Sequence, residues 1–386
     1  MTQDPGAHAP FFVCAFVWNL GLGMTYPLIP LYADSLGMSG VTIGALIALP
    51  VVLQITINLV GGAFTDRIGG RIMVLGSCLM MVAGASAYAA AGSFATLLMA
   101  QVLMVISRAI FWPASWTIAG KLPGARSVQV GRLNAMTNIG QIAGTFLAGF
   151  MINAAGFSWS FMMLAAIALA AFMSMLRHRG MAHADQPGPF APMARYGRLI
   201  RLRGIWFAIM CAYISALPFS LSVSFYPLLF DAYGYSHEAN GTILALRGVG
   251  AAVAGLLVAR ALDFSMKGAV AFASALVVAV SVAGVGATHN LYAVSALLFA
   301  VGLGSGLMSL NFQMLISDVS ANEDRGSANA LGGLGWGLSH FTTPLLMGVL
   351  RDHYGIESAF LILGSFVLTW AVALLAVHRW AFPARA

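Results

Sequence analysis

The sequence predicts an all-α membrane protein with twelve transmembrane helices in two related six-helix halves. Three observations predict it. Of 386 residues, 60% are hydrophobic before any of the 43 glycines is counted. Only 8% are charged, against about 25% in soluble domains. Several features of the first half recur in the second at nearly constant spacing. A water-soluble fold would have too few charges to cover its surface, which argues against soluble enzymes, nucleic-acid modules and disordered scaffolds.

A bilayer core about 30 Å thick needs roughly 20 apolar residues in a helix. Twelve such segments follow one another at about 11–35, 41–64, 72–91, 94–120, 131–154, 157–176, 204–231, 239–260, 268–287, 291–317, 327–350 and 357–379. The residues before the first span include Asp4 and no Lys or Arg, so they lack the basic start of a cleaved signal peptide, and the first span is expected to be retained. Most connections are short. The stretch 177–203 differs: it carries Arg177, Arg179, Arg195, Arg198, Arg201 and Arg203 with Pro187, Pro189 and Pro192. It divides the chain into an N-terminal six-helix bundle (1–176), a basic cytoplasmic linker (177–203) and a C-terminal six-helix bundle (204–386).

Basic residues set the orientation. With both termini in the cytoplasm, 16 of the 19 Lys and Arg residues fall in cytoplasmic segments or at cytoplasmic helix ends. Arg351 falls outside, and Arg108 and Arg247 fall inside spans. The formal charge of +7 is therefore a topology signal and calls for no nucleic-acid partner. Cys14, Cys78 and Cys211 lie in apolar runs without a C-x-x-C, so neither a disulfide framework nor a zinc site is expected.

The halves are related. Tyr26-Pro27-Leu28 recurs as Tyr226-Pro227-Leu228. Asp34, Gly37 and Gly44 recur as Asp231, Gly234 and Gly241 at a spacing of 197. Arg126, Gly149, Gly156 and Phe161 recur as Arg325, Gly348, Gly355 and Phe360 at a spacing of 199. Parallel six-span repeats predict two bundles with a site between them near the midplane.

Between spans 2 and 3 stands Gly62-Ala63-Phe64-Thr65-Asp66-Arg67-Ile68-Gly69-Gly70-Arg71. It resembles the loop signature of the major facilitator superfamily, G-x-x-x-D-R-x-G-R-R/K, with Gly70 where a basic residue is usual. The resemblance covers essentially the whole chain and implies the major facilitator fold and alternating access. It implies a cytoplasmic gate of Gly62, Asp66, Arg67, Gly69 and Arg71; the alternative is that Arg67 and Arg71 only set topology. In the second copy Asp263 is kept and Phe264 replaces Arg67. In span 5, Gly131, Gly140, Gly144 and Gly149 resemble the motif of the drug/proton antiporter-like exporters, G-x8-G-x3-G-P-x-x-G-G. Thr145 and Ala148 depart from it, and Pro344 stands at the repeat position of Thr145. A pliable helix favouring antiport and plain small-residue packing both remain open.

No acid lies near a predicted midplane. Asp34, Asp231, Glu238, Asp352 and Glu357 lie at the outer ends, and the other seven lie on the cytoplasmic side. Arg108 lies about 14 residues into span 4, roughly 21 Å at 1.5 Å per residue. Arg247 lies roughly 12 Å into span 8 and His340 roughly 20 Å into span 11. An arginine at a helix centre costs roughly 2.5–3.5 kcal/mol, so such residues pair or line a wet cavity. Arg108 also matches the superfamily's span 4 arginine, which the resemblance places in the central cavity. A cationic cavity receiving an anionic group is one reading, since a guanidinium donates two parallel hydrogen bonds to carboxylate or phosphate. A snorkelling pair of Arg247 with Asp231 or Glu238, and backbone carbonyls for Arg108, are the alternatives.

His340 is the mid-depth group whose unperturbed pKa lies near neutrality, and Asp34 and Asp231 are the other proton-coupling candidates. A polar packing residue for His340, and outer-gate latches or plain helix-end acids for Asp34 and Asp231, are the alternatives. Trp112, Trp336, Asn19, Tyr26, Tyr226 and Asn311 complete the expected substrate-binding set with Arg108 and Arg247. The alternative for these is interhelical packing and interfacial anchoring. Pro27, Pro30, Pro218 and Pro227 are expected to bend spans 1 and 7.

The chain contains no G-x-x-x-x-G-K-[ST], H-E-x-x-H or G-x-S-x-G. No enzyme activity, cofactor or metal is expected. The sequence points to a monomeric secondary transporter in a bacterial inner membrane, exporting small amphiphilic molecules with an anionic group in exchange for protons. An importer or exchanger of anions and a non-transporting membrane receptor or assembly factor are the alternatives.

Overall fold

A computed structural model of the chain describes residues 8–178, 193–258, 267–321 and 324–382, with the side chains of 58–67, 127, 193–195, 257, 258, 325 and 326 outside the description. The described residues are helical with short turns. The helices are α1 (Ala9–Ser35), α2 (Gly40–Ile68), α3 (Gly70–Ala90), α4 (Phe94–Lys121), α5 (Arg126–Arg177), α6 (Met193–Leu199), α7 (Arg203–Ser222), α8 (Tyr226–Ala232), α9 (His237–Val253), α10 (Lys267–Ala287), α11 (Leu291–Val319), α12 (Arg325–Tyr354) and α13 (Ile356–Ala381). A single π-helical turn, Ala254–Val258, extends α9.

Every expected span has a helix. Spans 5 and 6 share α5, whose backbone breaks at Gly156 (φ 77°). Only glycine adopts that φ without steric cost. Span 7 is interrupted: α7 ends at Ser222, and α8 begins with Pro227 in its first turn. Proline lacks an N–H and is tolerated at a helix start. Among the described residues ten helices are long and apolar enough to cross a membrane, the segment 128–177 of α5 being long enough for two spans. The glycine-rich α12 supplies the remaining one. The basic linker contains the unexpected short helix α6, and its residues 179–192 lie outside the described ones.

The repeat is visible in backbone geometry. Gly37 and Gly234 have φ of 75° and 74°, and Gly156 and Gly355 have 77° and 81°. The turns match bond for bond: Gly37 N–H donates to Asp34 O and Gly234 N–H to Asp231 O, both at 2.8 Å.

The chain forms two compact units. Unit 1 is Met1–Met38, Leu49–Phe190 and Ser236–Ala245; unit 2 is Ser39–Ala48, Ala191–Tyr235 and Leu246–Ala386. In unit 1, α1 packs along α5, and α3 packs on α4 and α5. The α1–α5 approach is set by glycine. A Cβ on Gly23 would overlap the carbonyl of Gln141, and one on Gly140 or Gly144 would overlap the carbonyls of Phe16 or Leu20. In unit 2, α10 packs on α13 and α11, and α7 on α12 and α11.

The contact units cross the expected boundary twice. The first nine residues of α2 belong to unit 2, where Gly44 meets the carbonyl of Pro344 and Gly40 meets Gly348. The first residues of α9 belong to unit 1, where Gly241 meets the carbonyl of Thr145 and Gly149 meets His237. These contacts are repeat equivalents of one another, since Thr145 and Pro344 are 199 residues apart.

Candidate functional site

In unit 1 the chemistry gathers around Arg108 on α4. Its Nη2 donates to the side-chain oxygen of Gln54 on α2 at 2.9 Å. Its Nε is buried without a hydrogen-bond partner. Among the described residues no carboxylate pairs with it. Tyr26 and Tyr88 lie close enough to interact electrostatically with the guanidinium. Each tyrosine donates its hydroxyl proton to a glutamine: Tyr26 to Gln141 Oε1 at 3.0 Å, Tyr88 to Gln101 Oε1 at 2.7 Å. Each oxygen therefore keeps only lone pairs for a cation.

Gln141 continues the network, donating to Asn19 Oδ1 at 2.9 Å, and Asn19 Nδ2 donates to the carbonyl of Ala15 at 2.8 Å. Asn19 and Tyr26 are thus buried inside the bundle as parts of a satisfied polar chain. Trp112, one turn after Arg108, is partly exposed. It meets Trp18 edge-on at 6.4 Å between ring centroids, and Trp18 stacks on Phe111 at 3.8 Å.

In unit 2 the surroundings are aromatic. The guanidinium of Arg247 on α9 lies 5.4 Å from the ring centroid of Phe219 on α7. Phe219 is 5.1 Å from the ring of His340 and 6.0 Å from that of Trp336, both on α12. Trp336 and His340 stack at 5.4 Å, one turn apart. His340 Nδ1 lies 2.9 Å from the carbonyl of Trp336. A carbonyl only accepts, so Nδ1 carries a proton and Nε2 is the basic nitrogen. The Tyr226 hydroxyl is buried without a hydrogen-bond partner. The helices α9 and α11 approach closely here, because a Cβ on Gly302 would overlap the carbonyl of Arg247.

The other candidates lie apart. Asn311 is buried and donates to the carbonyl of Lys267 at 3.1 Å, near the Lys267–Asp318 ion pair. Asp34 is half-buried and Asp231 exposed at the ends of α1 and α8. Glu238 accepts from Asn153 at 2.5 Å. Of the cytoplasmic gate, the side chains of Gly62, Asp66 and Arg67 lie outside the described residues. Gly69 takes φ 94° between α2 and α3, and Arg71 Nη2 donates to the carbonyl of Leu176 at the end of α5 at 2.8 Å. A positive charge there suits a helix C-terminus. Of the span 5 glycines, Gly140, Gly144 and Gly149 sit at close backbone approaches, and Gly131 has nothing within 4 Å.

Three partners went unmarked in the sequence. Gln54 and Gln141 are neutral amides within apolar helices, and only their isolation in those runs is a signal. Phe219 gives none.

The two units are thus built from long apolar helices, and each unit carries an arginine within a span. The family model for the Major Facilitator Superfamily matches residues 11–260 and 205–385. The chain belongs to that superfamily and is an integral membrane protein of a transport family. It is 27% identical over 138 residues to the Quinolone resistance protein NorA of Staphylococcus aureus (strain MRSA252), covering 35% of this chain and 36% of that protein. It is 25% identical over 166 residues to the Multidrug resistance protein 1 of Bacillus subtilis (strain 168), covering 42% and 43%. The matched stretch thus spans less than half of each of these relatives. The nucleoside transporter NupG shares the fold with TM-score 0.81 at 12% identity, over 97% of this chain and 99% of that one. A bacterial homologue of the lysosomal transporter Spinster gives 0.77 at 13%, over 98% and 97%.

Proposed function

We propose that the protein is a secondary transporter of the bacterial plasma membrane that exports small amphiphilic molecules bearing an anionic group, coupled to proton entry. It works by alternating access as a monomer, with both termini in the cytoplasm. The carrying observation is Arg108, whose guanidinium is met by the neutral Gln54 amide and by no carboxylate among the described residues. Leaving such a charge unmatched in a membrane span is unfavourable, and an anionic cargo supplies the missing partner. Arg247 with Phe219 and Trp336 supports cargo with an apolar, aromatic body, since rings and guanidinium faces attract. His340, with Nε2 as its basic nitrogen, is the preferred proton carrier. The likeness to two proteins named for drug resistance supports export.

The test is reconstitution into liposomes with a pH dye inside. Substrate movement out of the lumen should acidify it when the lumen represents the cytoplasm. A strict anion exchanger uses the same arginines but ignores the pH gradient, and transport unaffected by that gradient would replace the proton-coupled reading with it.

A further inference from the structure

Gln54 has a role that its composition hides. It accepts a hydrogen bond from Arg108 Nη2 at 2.9 Å, across 54 residues of sequence. Glutamine and glutamate have the same length and nearly the same shape. A glutamate here would accept the same bond and also cancel the charge. The chain instead places a neutral acceptor against the guanidinium, next to two tyrosine oxygens that also offer only lone pairs. The buried Nε–H keeps no acceptor of its own. The result is a guanidinium that is oriented but not neutralised, with N–H donors remaining for a carboxylate, sulfonate or phosphate.

We propose that Gln54 is the specificity-determining residue of unit 1: its amide oxygen fixes the Arg108 guanidinium, and its neutrality leaves a positive charge that only an anionic group satisfies. The role rests on the reading of Arg108 as the receptor for the cargo's anionic group. Gln54 acts through Arg108 and is a positioning residue. Its identity decides charge selectivity: with glutamine the receptor takes anions, and with glutamate it becomes neutral and tolerates cations.

The test uses the full chain in lipid nanodiscs, titrated with 1-anilinonaphthalene-8-sulfonate as amphiphilic anion and ethidium as amphiphilic cation, both read by fluorescence. Ligand-free thermal unfolding is read in parallel. Gln54→Glu should lose at least about tenfold in affinity for the anion, the worth of one hydrogen bond to a charged group, and gain affinity for ethidium. It should also melt higher without ligand, because the buried guanidinium gains a counterion. Gln54→Leu removes the acceptor without adding charge; it should weaken the anion and still refuse ethidium. Wild-type protein that binds the anion, with both variants indistinguishable from it, overturns the role of Gln54 alone. Wild-type protein that binds ethidium and not the anion overturns the anionic-cargo reading together with it. If wild type binds neither probe, the ligand-free melting decides: a rise in Gln54→Glu supports the role and no rise overturns it.

Discussion

Asp352 accepts hydrogen bonds from the backbone N–H groups of both Gly40, at 2.7 Å, and Val41, at 2.9 Å. A carboxylate on α12 thereby caps the N-terminus of α2. These first N–H groups have no partner within their own helix, and a negative charge there is favourable. The repeat-equivalent residue is Asn153, which instead donates to Glu238 in the first turn of α9. Asp352→Ala should cost about 1 kcal/mol, as other N-cap removals do. Asn153→Ala should cost less, because its bond is exposed. Thermal unfolding of the two purified variants ranks them, and the reverse order would argue against the capping role.

The span 5 glycines separate packing from flexibility. A Cβ at Gly144 would overlap the carbonyl of Leu20, whereas one at Gly131 meets nothing within 4 Å. Gly144→Ala should therefore force α1 and α5 apart and destabilise by about 1–3 kcal/mol, in the range of overpacking. Gly131→Ala should be neutral or slightly stabilising, since alanine is the better helix former. Equal effects of the two substitutions on unfolding would contradict the packing explanation.

Much of the architecture was legible because its causes are local. Apolar length gave the spans, and Gly37, Gly156, Gly234 and Gly355 marked turns that need positive φ. Arg108 and Arg247 stood out as charges within apolar runs. Their partners did not, because a partner depends on which helix faces meet. Gln54 and Phe219 come from distant segments, and a phenylalanine among apolar residues carries no mark of the cation above it. Asn19, Tyr26 and Asn311 were conspicuous for polarity, yet polarity does not say which neighbour satisfies it. The structure supplies Gln141, Ala15 and Lys267. The crossed membership of α2 and α9 was likewise invisible, since each helix reads as one continuous span.

Phe219 bears directly on Arg247. Phe219→Leu keeps the apolar volume approximately and removes the ring beneath the guanidinium. A desolvated cation–π contact is worth about 2 kcal/mol and an exposed one about 0.5–1. The variant should unfold at lower temperature by a corresponding amount, and Arg247→Met should cost less in that background than in the wild type, because the contact is already gone. A double-mutant cycle with full additivity would remove the interaction.

His340 offers a cleaner functional separation. His340→Gln keeps a hydrogen-bonding side chain toward Trp336 and removes the imidazole that the proposed coupling needs. Proton-driven transport should fall sharply while exchange of labelled for unlabelled substrate persists. Undiminished response to a pH gradient in this variant would pass the coupling role to Asp34 or Asp231.

The claim that cargo supplies the negative charge is tested most directly by ligand-induced thermal shift. Purified protein is screened with matched anionic, cationic and neutral amphiphiles, in parallel with Arg108→Ala. A ligand that binds only the folded state raises the melting temperature, by an amount that grows with the logarithm of its concentration over Kd. Anionic amphiphiles alone should raise the melting temperature of the wild type, and that shift should vanish in Arg108→Ala. Stabilisation by cations alone, or an anion shift of equal size in the variant, would contradict it.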